Sequence, residues 1–108
     1  MATFVMLTRL SQDSLRSQQA FEELGQEVIG RLESECPEVR WVGNYMVLGQ
    51  YDYLDIFEAP SNEVAAKVAN IVRSYSHATT EIWPATQWDR FNAMMNEVEA
   101  HHVHPKAA

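Results

Sequence analysis

The sequence predicts one α+β domain in which strands and helices follow one another as βαββαβ, with one more helix at the end. Three observations carry this. Four short runs rich in β-branched and aromatic residues alternate with two stretches whose apolar residues recur at helical spacing; Gly49-Gln50 joins the middle two runs; and the first three runs carry apolar residues on both of their faces. At 108 residues the chain can close one hydrophobic core without a metal or disulfide.

The first strand is expected over Thr3 to Leu10, where Phe4, Val5, Met6 and Leu7 form an unbroken apolar run. Ser11-Gln12-Asp13-Ser14 then offers capping groups, and Phe21, Leu24, Val28 and Leu32 mark a long amphipathic helix that Cys36-Pro37 stops. Gly25 lies on that stripe at ~1 kcal/mol of lost helix propensity, so close approach of its backbone to the sheet is expected. Val39 to Leu48 and Tyr51 to Ala59 should pair antiparallel through a tight type II′ turn at Gly49-Gln50. After Pro60, Ser61 is a good N-cap with Glu63 in the first turn, and Ala65, Val68, Val72 and Tyr75 give the second helix one apolar face as far as Ser76-His77. Thr79 to Trp83 forms the fourth strand, closed by Pro84. Thr86 caps a last helix carrying Trp88, Phe91, Met95 and Val98 on one side, with Met94-Met95 read as core filling. The domain is drawn as residues 1–99, with 100–108 as a His-containing tail.

Composition narrows the function. Hydrophobic residues make up 46% of the chain and charged residues 21%, which places it among folded globular proteins. A formal net charge of −7, with eight scattered Lys and Arg, argues against a nucleic-acid partner. Met1-Ala2-Thr3-Phe4 lacks the basic leader of a secretory signal and no apolar stretch is long enough for a bilayer, so a cytoplasmic location and no membrane partner are expected. The single Cys36 has no partner for an internal disulfide and reads as a half-buried thiol at a helix end.

Two helices connecting four strands in this order both fit on one side of the sheet, and the other side is left bare. On the third strand Leu54 and Ile56 oppose Tyr51, Tyr53, Asp55 and Phe57; on the second, Trp41, Tyr45 and Val47 oppose Val42, Met46 and Leu48. A bare face of this composition would be an aromatic patch, and a homodimer with two sheets packed face to face would bury it.

Gly49-Gln50-Tyr51-Asp52 followed by the strand Tyr53-Leu54-Asp55-Ile56-Phe57-Glu58-Ala59-Pro60 resembles the signature stretch of GYD-domain proteins. Met1 to Thr8 and His77 to Ala85 are similar to the family's first and last strands, so the resemblance covers about residues 1 to 92. It implies a ferredoxin-like antiparallel sheet with helices on one face, in the dimeric α+β barrel arrangement. That superfamily includes cofactor-independent monooxygenases, isomerases, haem enzymes and amino-acid-sensing domains, so the fold does not choose among them.

The candidate chemistry lies on the strands. Tyr53, Asp55 and Phe57, with Glu81 and Trp83 in the same alternation, are expected on the face turned to the partner, where loss of solvation would raise a carboxylate's pKa. Asp55, Glu81 and His77 are the catalytic candidates; Trp41, Tyr45, Tyr53, Phe57, Trp83 and Arg9 are the ligand-binding candidates. Arg9, Arg40 and His77 are also the cations that would pair with Asp55 and Glu81 in ordinary ion pairs. Asp52 and Tyr51 are read as bracing the turn, and His77 as favouring a helix C-terminus. His101, His102 and His104 with Glu97 would need a closed geometry to bind a divalent metal, which an irregular terminus does not preorganise, so no metal is expected. No Gly-rich phosphate loop, nucleophile elbow or zinc-protease motif is present and no cofactor is expected. The leading expectation is a homodimeric small-molecule binding or sensing module, using a sheet-to-sheet cavity or the groove between sheet and helices. A cofactor-independent monooxygenase or isomerase and a purely structural assembly role are the alternatives.

Overall fold

The computed structural model describes residues 1–11 and 18–103, with side chains described for 1–11, 22–75 and 77–100. The chain runs β1 (Ala2–Arg9), α1 (Gln18–Glu35), β2 (Arg40–Met46), β3 (Tyr53–Ala59), α2 (Asn62–Ser76), β4 (Thr79–Ala85) and α3 (Trp88–Val103). The four strands form one antiparallel sheet in the order β2-β3-β1-β4, the ferredoxin-like topology that the sequence predicts. Among the described residues no helix is long and apolar enough to cross a membrane. Gln12, Asp13 and Ser14, expected as caps, and the side chain of Phe21 lie outside the described residues.

The core sits between one sheet face and the two connecting helices. Phe4 and Met6 of β1 and Phe57 and Ala59 of β3 meet Leu32 of α1 and Ala65, Val68, Ile71 and Val72 of α2. Phe57 is at its centre, fully buried, with ring centroids 5.5 Å from Phe4 and 5.2 Å from Trp41. Cys36 is fully buried in the same cluster and not half-buried as its place at a helix end suggested; burial pushes its thiol pKa up. Ser61 caps α2 as expected, its hydroxyl accepting the Val64 N–H.

Four local expectations are corrected. β4 does not stop at Pro84: it runs through it to Ala85, because β4 is an edge strand and proline needs no ladder donor on its open side. The β2–β3 connection is not a two-residue turn. The Val47 N–H bonds the Asp52 carbonyl at 3.0 Å, leaving 48–51 as a four-residue loop with Gly49 at φ 152°, a conformation that side chains disfavour. Gly25 does not touch the sheet; an added Cβ there would meet nothing within 4 Å. Gly25→Ala is therefore expected to stabilise α1 by about 1 kcal/mol, read as a rise in thermal midpoint of roughly 4–8 °C. Finally, Met94 and Met95 do not fill the core. With Trp88, Phe91 and Val98 they are exposed on α3.

β2 carries one irregularity of consequence. Its register against β3 slips between Trp41, opposite Phe57, and Gly43, opposite Ile56, which makes Val42 the extra residue of a β-bulge. The slip reverses the facing of everything beyond it. Trp41 and Asn44 share the helix-covered face, whereas Gly43 and Tyr45 lie on the bare one, with the Tyr45 ring folded so closely over Gly43 that a Cβ would sit 2.8 Å from it.

Candidate ligand-binding cleft

α1 packs on α2 and stands off the sheet, and the space between them is a cleft of about 620 Å³. Its floor is the helix-facing side of the strands: Met6 and Thr8 of β1, Trp41 and Asn44 of β2, Tyr53 and Asp55 of β3. Its other wall is α1, through Leu24, Gly25, Val28, Ile29 and Leu32, with the exposed Glu33 at the rim.

The polar groups converge where β1, β2 and β3 run side by side. Asp55 is opposite Met6 on one neighbour and Asn44 on the other, and the Asn44 amide Nδ2 donates to Asp55 Oδ1 at 2.7 Å. Burial raises the Asp55 pKa above the ordinary carboxylate value, and the Asn44 hydrogen bond offsets part of that rise. Tyr53 is opposite Thr8; burial, then the charges of Asp52 and Asp55, push its phenol pKa up. Thr8 is 5% exposed, and its Oγ1 has no hydrogen-bond partner among the described residues. A buried hydroxyl left without a hydrogen bond is energetically costly, so Thr8 marks the polar end of the cleft.

A raised carboxylate pKa in the folded state has a sign. Between the unfolded-state and folded-state values the folded chain holds a proton that the unfolded chain has released, so stability falls as pH rises through that window and levels off above it. Asp55→Asn keeps an acceptor for Asn44 and removes the charge. The variant is expected to lose this slope and to be at least as stable as the parent at neutral pH, measured as the difference between the two proteins in urea unfolding across pH 4 to 8.

The structure divides the residues that the strand alternation grouped. Tyr53, Asp55 and Phe57 face the helices, not a partner, and Glu81 and Trp83 lie on the opposite side of the sheet, across from Leu7 and Val5. Of the ligand candidates, Trp41 and Tyr53 line the cleft and Phe57 packs beneath it; Tyr45 and Trp83 are exposed on the bare face. Arg9 is engaged elsewhere, its Nε donating to the Gln50 carbonyl at 2.6 Å and its guanidinium lying over the Tyr51 ring. Of the acid–base candidates only Asp55 reaches the cleft. Glu81 is exposed, and His77 caps α2 in the left-handed conformation, φ 54°, with its backbone N–H on the Arg73 carbonyl. Among the described residues no cluster of three or more His, Cys, Asp or Glu could hold a metal; the side chains of His101 and His102, and all of His104, lie outside them.

Thr8, Asn44 and the α1 wall were not singled out from sequence. The one legible signal was Gly43 within a strand, which often marks a bulge and would have moved Asn44 to the side of Asp55.

A model of the GYD domain matches residues 4–95. The chain belongs to the GYD-domain family. No curated protein matches it. In this GYD domain the signature residues tie the hairpin to the strand beside it: Asp52 Oδ2 accepts the Leu10 N–H at 2.8 Å while the Asp52 N–H donates to the Thr8 carbonyl at 2.8 Å. Because Thr8 and Leu10 both line the cleft, the motif shapes it from behind without entering it.

Proposed function

We propose that this GYD domain is a homodimeric binding or sensing module that takes a small, largely apolar molecule into the cleft between α1 and the sheet. The observation that carries the reading is the buried Thr8 hydroxyl, without a hydrogen-bond partner among the described residues, near Asp55 in a largely apolar space of ligand size. Filling the cleft tests it. Gly25→Trp places an indole where the backbone leaves open space, so the variant should unfold like the parent and lose the thermal shifts that small molecules give the parent in a screen. An equal response from both proteins overturns the cleft as the site. A stable dimer with no response to any compound points to the assembly role instead.

The homodimer half of the proposal rests on the bare sheet face, where Val5, Leu54, Ile56, Tyr45 and Trp83 form an apolar surface, and on the apolar side of α3, whose Trp88, Phe91, Met94, Met95 and Val98 are exposed. Sedimentation velocity should give a dimer for the parent and a monomer for Trp83→Glu; a monomeric parent at micromolar concentration refutes it. A cytoplasmic setting suits the free, buried Cys36.

One observation favours a second reading. Asp55, half-buried and with a raised pKa next to Tyr53, has the character of a general acid or base, as a cofactor-independent monooxygenase or isomerase would need. Under that reading Asp55→Asn abolishes turnover of a bound compound while its binding survives.

A further inference from the structure

The cleft's polar end has a consistent chemistry. Thr8 Oγ1 has no partner among the described residues, Asp55 has one oxygen on the Asn44 amide, and Asn44 spends a donor on that bond. Among the described residues, the charged ones that line the cleft are Asp55 and Glu33, both acidic, and no described Lys, Arg or His lines it. Asp55 has Met6 of β1 and Asn44 of β2 opposite it and shares the cleft lining with Thr8 on β1, Tyr53 on β3, Val72 on α2 and Glu33 on α1, and none of these supplies a positive charge. An anionic ligand would meet two carboxylates and no cation among the described residues. A cationic one would meet a carboxylate short of a counter-charge, flanked by the aromatic rings of Trp41 and Tyr53, the environment that selects ammonium groups.

Resting on the binding reading above, we infer that the cleft selects apolar amines, with the protonated nitrogen held between Asp55 and the Thr8 hydroxyl and the hydrocarbon body lying along the α1 wall. Asp55 is then the recognition group. Its raised pKa makes binding depend on pH: amine affinity strengthens as pH rises through the Asp55 ionisation, and complex formation releases a proton from that fraction of molecules still protonated.

The test is a titration of the full chain by calorimetry and thermal shift with a panel of apolar tails, alkyl and indolyl, each presented as an amine, an alcohol and a carboxylate. The expected result is binding of amines roughly tenfold or more tighter than the matching alcohols, with carboxylates weakest. Asp55→Asn should lose that preference while keeping a cooperative unfolding transition. Thr8→Val, which removes the partnerless hydroxyl at nearly constant shape, should weaken amines several-fold without loss of stability. A panel in which alcohols or carboxylates bind best, or an amine preference that survives Asp55→Asn, overturns the inference and leaves the binding reading standing. If no member of any set binds, both readings fall.

Discussion

Phe57→Ala is expected to lower the stability of the domain by about 3–5 kcal/mol, a large share of the roughly 5–15 kcal/mol that holds a domain of this size folded. Phe57 is fully buried, stacked near Phe4 and tilted against Trp41, in a sheet centre that also touches both helices' apolar faces. Truncation removes the ring's transfer free energy and leaves a cavity that neighbours on a hydrogen-bonded sheet fill only in part. The loss should appear as a lower urea midpoint with little change in slope, and Phe57→Leu should recover much of it. Because Trp41 is both Phe57's neighbour and a wall of the cleft, any ligand response should weaken together with stability. A loss under about 1 kcal/mol would place the packing centre elsewhere.

The second large effect is expected at Asp52. Asp52→Ala leaves the half-buried Leu10 N–H without its carboxylate acceptor, at about 1.5–3 kcal/mol for a hydrogen bond to a charged group. Asp52→Asn keeps an acceptor and should lose less. Hydrogen exchange gives the local readout: the Leu10 amide should lose protection in Asp52→Ala, ahead of any change at the β1–β4 pairing on the far side of the strand. Unchanged exchange at Leu10 would mean that the signature motif acts only within its own loop. The backbone bonds of Asp52 to Thr8 and of Val47 to Asp52 persist in both variants, so the hairpin itself should survive.

The sequence alone was enough for the seven elements, their order and the antiparallel sheet, because helical and strand periodicities are local properties of the chain. Ser61 as a cap and the apolar face of α2 were equally legible. The site was legible in part: Asp55, Tyr53 and Trp41 were named from their chemistry, and they do meet. Their surroundings were not, since alternation says which residues share a face and never which face the helices cover when both are apolar. Three tertiary facts decided that. The pairing of β1 with β3 put Asp55 opposite Met6 and so on the helix side, the bulge at Val42 brought Asn44 to the same side while turning Tyr45 away, and the stand-off of α1 opened a cleft between helices and sheet, one of the two spaces expected. Each depends on contacts between segments far apart in the chain, so no local pattern encodes it; the sheet and its helices could be read from residue types, but the cleft came into being only when they packed.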